Sequence, residues 1–305
     1  MHRAWPLCLL VLGCSTPAPA SDGGGSGTDA GRTEDATPGV DGGPSDVDAA
    51  MATDTGTSPG DDGGTTTFAL PPENGGLDYQ LGGAYPPPSG VTIVSRDRTE
   101  APAAGLYNVC YVNGFQIQPG DEAMWMASHD LAVLRDGAGD PVIDADWNEI
   151  LLDTRTEASR AEILSVIGPW IDGCAADGFD AVEIDNLDTY SRAMGLLTED
   201  ENVTMVRLFA DRAHAAGLAI AQKNSSELVP RRAEMGTDFV VSEECNRYDE
   251  CDAYIGGYGT HVLMIEYRMP DFTAGCGAYG SGYSIVLRDR NLVPAGQSAY
   301  VYDGC

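Results

Sequence analysis

From Phe68 onward the chain repeats one pattern: short apolar runs of strand length, separated by stretches with helical spacing. The runs are LDYQL at 77–81, VTIVS at 91–95, LYNVCYV at 106–112, EILLD at 149–153, AVEID at 181–185, LAIAQ at 218–222, FVVSE at 239–243 and VLMIEY at 262–267. Their Val, Ile and Tyr content suits buried strands. Between them, Ile163, Val166, Ile167, Trp170, Ile171 and Cys174 recur at three- and four-residue steps, and Gly178 stands where a helix would end. Val206, Phe209, Ala210 and Ala213 repeat that spacing ahead of Gly217. Eight strands alternating with helices predict an α/β fold, a (β/α)8 TIM-type barrel over residues 68–305. A doubly wound open sheet is the alternative. The segment SIVLRDRNL at 284–292 is then a ninth strand or a C-terminal cover. No Gly-x-Gly-x-x-Gly turn follows an early strand, so nucleotide binding finds no support.

Ahead of this unit, residues 15–67 are almost entirely Gly, Ser, Thr, Ala, Pro and Asp. Such a stretch buries too little apolar surface to offset its ordering entropy and reads as a disordered acidic linker. Before it, Met1-His2-Arg3 supplies a positive end and Ala4–Gly13 an apolar run too short to span a bilayer. Val11-Leu12-Gly13-Cys14 closes the run and resembles a bacterial lipobox. Residues 1–14 therefore read as a lipoprotein signal peptide, with lipid on Cys14 anchoring an exported protein to the outer membrane or cell surface. An ordinary signal peptide cleaved near Ala18 or Ala20 is the alternative.

The net charge of −30 argues against a nucleic-acid partner and is compatible with a cationic ligand. Beyond the leader and Cys14, six cysteines remain, an even set that predicts disulfides in an oxidising location. The spacing of Cys245 and Cys251 suits a local loop closure, and Cys276 with Cys305 could tie down the C-terminus. The scattered histidines and the lack of a close Cys-x-x-Cys pair give no metal site, and no cofactor is expected. The chain reads as a monomer.

Acidic residues gather at the ends of the expected strands: Asp153, Asp185 with Asp188 behind it, Glu243-Glu244 and Glu266. In a barrel these ends converge on one mouth, where catalytic groups sit. Period-two alternation turns Val182 and Ile184 outward and Glu183 and Asp185 inward. By the same rule Phe239, Val241 and Glu243 share a face, as do Ala219, Ala221 and Lys223. Asp185 and Glu243 are favoured, with Glu244 in reserve.

The series Tyr79-Gln80-Leu81, Cys110-Tyr111, Trp147-Asn148-Glu149 with Asp153, and Gly178-Phe179-Asp180 leading to Glu183, Asp185, Asn186 and Asp188, resembles glycoside hydrolase family 114. Gly217-Leu218 leading to Lys223-Asn224, Glu243-Glu244-Cys245 with Tyr248, Glu250 and Cys251, and Glu266-Tyr267 continue the resemblance. It implies a (β/α)8 endo-α-1,4-polygalactosaminidase acting on a cationic or N-acetylated galactosamine polysaccharide, with Asp185 and Glu243 as the catalytic carboxylates. Glycosidic cleavage needs one protonated acid and one carboxylate facing the anomeric carbon. Asp185 would be the nucleophile or cation stabiliser, kept ionised by Lys223. Glu243, crowded by carboxylates, would be the general acid/base, and Asp153 is the runner-up partner. Asp78, Tyr79, Tyr111, Asn186, Asp188, Lys223, Asn224, Glu266 and Tyr267 would line subsites. The rival reading is a non-catalytic surface lipoprotein that binds amino-sugar polysaccharide on the same barrel. Two departures stand out: Ser95-Arg96-Asp97 replaces an aspartate directly after the second run, and Val-Asn-Gly-Phe follows Tyr111 in place of a small-residue turn.

Overall fold

A computed structural model of the chain describes residues 67–305. The expected leader, the lipidation at Cys14 and all but the last residue of the expected linker lie outside the described residues.

Eight strands run parallel in chain order, each paired with the next: β1 (Gly76–Gln80), β2 (Val91–Asp97), β3 (Tyr107–Asn113), β4 (Ala181–Asp185), β5 (Ala219–Lys223), β6 (Phe239–Glu243), β7 (Val262–Glu266) and β8 (Ser284–Arg288). A ninth, β9 (Tyr302–Gly304), pairs antiparallel with β8. The first and eighth strands meet at a seam made by side chains. Arg288 on β8 donates to Asp78 Oδ1 on β1 (3.0 Å) and to the Tyr79 carbonyl, and both partners of the ion pair are fully buried. The result is a nearly closed (β/α)8-type barrel.

Alternation along the strands builds the two layers of core. Leu77, Tyr79, Ile93, Val109, Ala181, Ala221, Phe239, Val241, Leu263 and Val286 fill the barrel interior. The intervening positions face outward. Val112, Val182, Ile184 and Ile220 pack on Ile163, Ile167 and Ile171 of α1 (Glu157–Asp177) and on Val206 and Phe209 of α2 (Glu199–Ala215). Val240, Met264 and Leu287 pack on Tyr254 and Tyr258 of α3 (Cys251–Tyr258) and Phe272 of α4 (Met269–Tyr279). Each such large side chain contributes roughly 1.5–3 kcal/mol by burial. A one-residue slip in any strand would turn its whole set over, so register is fixed. The helix expected around 163–174 is α1, begun by a Thr156 capping box and ended by Gly178 at φ +94°.

Two expectations of the strand count are corrected. EILLD at 149–153 is not a barrel strand; Ile150–Leu151 pairs antiparallel with Gln116–Ile117 in a separate two-stranded sheet. The eighth barrel strand is instead 284–288, read from sequence as a ninth strand or cover. Helices are also missing, among the described residues, between β1 and β2 and between β2 and β3.

Cys245–Cys251 and Cys276–Cys305 are bonded as expected, and Cys110–Cys174 joins β3 to α1. The described chain begins beneath the barrel, against the N-terminal ends of the strands. Phe68 stacks on His214, the Tyr107 hydroxyl donates to the Ala69 carbonyl, and Thr260 Oγ1 donates to Glu73. No helix among the described residues is long and apolar enough to cross a membrane.

Candidate active site

At the opposite end, where β3 to β7 finish, one ammonium group organises the mouth. Lys223 Nζ, on β5, lies 3.1 Å from Asp185 Oδ1, 3.2 Å from Glu243 Oε2 and 3.3 Å from Glu183 Oε1. It also donates to the Tyr79 hydroxyl at 3.3 Å. All four charged residues come from inward positions of β4, β5 and β6, as alternation requires. Exposure then separates them. The side chains of Lys223 and Glu183 are 2 % and 0 % exposed, whereas those of Asp185 and Glu243 are 18 % and 27 % exposed. Only the latter two carboxylates can meet a solute.

Each is held by donors. Tyr111 Oη (2.8 Å) and the Asn186 backbone N–H (2.9 Å) donate to Asp185. Glu243 accepts from the Tyr267 hydroxyl and from Asn224 Nδ2 (3.3 Å), while its own N–H donates to Asn224 Oδ1 (2.7 Å). Asn186 and Asn224 adopt left-handed backbone (φ +66° and +50°), a conformation asparagine tolerates, so the chain turns sharply right after each strand. Glu183 sits one layer below, accepting from Tyr79 Oη (2.5 Å) and Ser95 Oγ (3.0 Å). Ser95, one of the two departures noted in the sequence, therefore serves this lower layer.

The charges follow from these contacts. Burial alone would raise the Asp185 pKa, but the Lys223 ammonium, the Tyr111 hydroxyl and the Asn186 N–H outweigh it and hold the group below the usual carboxylate range. Glu183, deeper and beside Asp185, is pushed up by burial in spite of Lys223. Lys223 loses by burial and gains more from Asp185 and Glu243, so its ammonium is retained well above its ordinary range. Glu243 touches an ammonium and two donors, with Asp185 and Glu183 beside it on the same ammonium. Glu244 turns away (φ +56°) to pair with Arg247 and Arg290.

Several expected subsite residues are placed elsewhere. Asp78 is fully buried at the seam, bonded by Arg288, Tyr85 and Gln80. Tyr79 and Lys223 lie beneath the surface as supports for the carboxylates. Glu266 is buried, accepts from the Asn246 N–H, and is raised by burial to about 7. Asp153 follows the separate sheet, not a barrel strand, and is chelated by Arg155. Asp188 pairs with Arg192 near the rim. Tyr111, Asn186, Asn224 and Tyr267 are part-exposed and touch the carboxylate pair. Sequence reading did not assign roles to Glu183, Arg192 or Arg288. An inward-facing Glu183 was the available signal; the two arginines lie outside any motif.

Among the described residues no group of three or more His, Cys, Asp or Glu side chains is arranged to hold a metal ion. A parallel barrel whose mouth presents two part-exposed carboxylates bridged by one cation is built like the barrel glycosidases, in which strand-end acids cut a sugar–oxygen bond. The chain belongs to glycoside-hydrolase family GH114, which it matches over residues 59–305. Among solved structures it resembles Aspergillus fumigatus Ega3 in complex with galactosamine, at 22% identity and a TM-score of 0.64, over 80% of this chain and 100% of that one. It also resembles the glycoside hydrolase domain of PelA from Pseudomonas aeruginosa, at 16% identity and a TM-score of 0.51, over 73% and 98%. These likenesses are of fold. No curated protein matches the chain significantly.

Proposed function

We propose that the protein is an endo-acting hydrolase of an α-1,4-linked, galactosamine-containing polysaccharide, with Asp185 as nucleophile and Glu243 as general acid/base. The observation that carries the reading is that these two carboxylates alone in the Lys223 cluster reach the surface, on either side of one ammonium. The galactosamine in the Ega3 complex supports the choice of sugar. An acidic mouth suits a polymer bearing ammonium groups. Asp185, kept ionised, attacks the anomeric carbon as Glu243 gives a proton to the departing oxygen. Glu243 then takes a proton from the water that releases the sugar from Asp185.

The shared lysine also bears on stereochemistry. Contacts of 3.1 and 3.2 Å to one nitrogen draw one oxygen of each carboxylate together, which suits the close carboxyl pair of a retaining site, about 5–5.5 Å apart, better than the roughly 6.5–9.5 Å of an inverting one. We therefore expect retention. Proton NMR of the full chain acting on partly deacetylated polygalactosamine reads both points: oligosaccharides appear first as the α-anomer, and Asp185→Asn or Glu243→Gln stops release with little change in melting temperature. Wild-type rates in both variants would sink the assignment, and an initial β-anomer would sink retention alone.

A further inference from the structure

The turn at 144–149 stands at the rim and is tied down at both ends. Asp144 is buried; it accepts from Gln116 Nε2 (2.8 Å) and pairs with Arg192 Nε (2.7 Å). The same guanidinium holds Asp188, in the loop after Asp185. At the other end Glu149 Oε2 accepts from Asn113 Nδ2 (3.1 Å), and Asn113 sits beside Asp185 in the β3–β4 register. Two backbone bonds of 2.8 Å close the turn, from Asp144 N to Glu149 O and from Asn148 N to Asp144 O, with Asn148 at φ +57°.

Between these anchors Trp147 is 62% exposed. An indole left in water on a braced turn contributes little to the fold, because its large apolar surface is not buried. Its amphipathic ring suits the C–H face of a sugar. Glu149 is part-buried, and its Oε1 accepts no hydrogen bond from the described residues. Asp185, Asp144 and Glu122 surround it with like charge, a field that favours a cation.

We propose that Trp147 and Glu149 form an amino-sugar subsite at the rim, where the indole takes the face of one sugar unit and the Glu149 carboxylate takes its C2 ammonium in preference to an acetamide. The proposal rests on the galactosamine-polymer reading above and names the chemistry of one of its subsites. Burial raises Glu149 to about 7 in the free protein. An ammonium beside it favours the ionised form and gains a charge-assisted hydrogen bond; an acetamide offers neither.

The test measures kcat and KM separately for the full chain and for Trp147→Ala, Glu149→Gln and Glu149→Asp, on fully deacetylated and fully N-acetylated galactosamine oligomers. Trp147→Ala should raise KM on both by about tenfold, the loss of one good contact. Its exposure leaves Tm unchanged. Glu149→Gln should raise KM on the deacetylated oligomer alone by a similar factor, with kcat kept, and Glu149→Asp should recover part of the preference. Calorimetric binding of the same oligomers in an Asp185→Asn background repeats the comparison without turnover. Unchanged KM and affinity in both Trp147→Ala and Glu149→Gln would overturn the subsite. So would a Glu149→Gln that loses kcat on both oligomers, which would place Glu149 at the glycosidic oxygen. An Asp185→Asn protein that still cleaves would instead overturn the reading of the catalytic pair, a separable result.

Discussion

Lys223 is the residue on which the site turns. Three carboxylates share its ammonium, and breaking a buried ion pair from one side costs on the order of 3–5 kcal/mol. Lys223→Met should lose about that much in urea unfolding at pH 7, along with activity. The sign with pH is fixed by the cluster. Without the cation, the three carboxylates lose their shared partner, and the folded pKa values of Glu183 and Asp185 rise above the unfolded ones. The variant then holds its best stability at low pH and loses it as pH rises through those values. Its deficit against wild type should therefore shrink at pH 5; an equal deficit at pH 5 and pH 7 would refute the electrostatic account. Alternation made Glu183, Asp185, Lys223 and Glu243 legible as inward-facing from sequence. It could not say which reach solvent, because Glu183 and Asp185 differ only by one layer, about 7 Å along the strand.

At the scale of elements, seven of the eight expected runs became barrel strands and one did not. A short apolar run reports burial, not the partner it pairs with: Leu151 is buried with Leu134, Val142, Ala193 and Leu197 beside the barrel, and Ile150 is half-buried against the layer between barrel and helices. Conversely, SIVLR read as a ninth strand or a cover because nothing in its sequence shows that Arg288 closes the seam on Asp78. That closure leans on the C-terminus, where β9 covers the edge of β8 and Cys305 is bonded to Cys276. Opening a loop of 29 residues should lower stability by about 3–4 kcal/mol in the chain-entropy account. A Cys276→Ser/Cys305→Ser double variant compared with wild type by denaturant unfolding reads this, and no loss would mean the seam holds without the cross-link.

For the whole molecule, 47 acidic against 17 basic residues give a field that reaches well beyond the mouth. If the substrate is a polycation, raising salt from about 0.1 M to about 1 M shortens the screening length from about 10 Å to about 3 Å, and KM should climb several-fold while kcat stays level. A KM indifferent to salt would argue for a neutral, acetylated polymer. The described chain enters at Phe68 and Ala69, against the strand beginnings, while Asp185 and Glu243 occupy the strand finishes. The barrel thus has a stem side and a working side, and they are opposite poles. A sugar chain can therefore enter and leave the mouth without crossing the segment at Phe68–Ala69, which lies against the other pole.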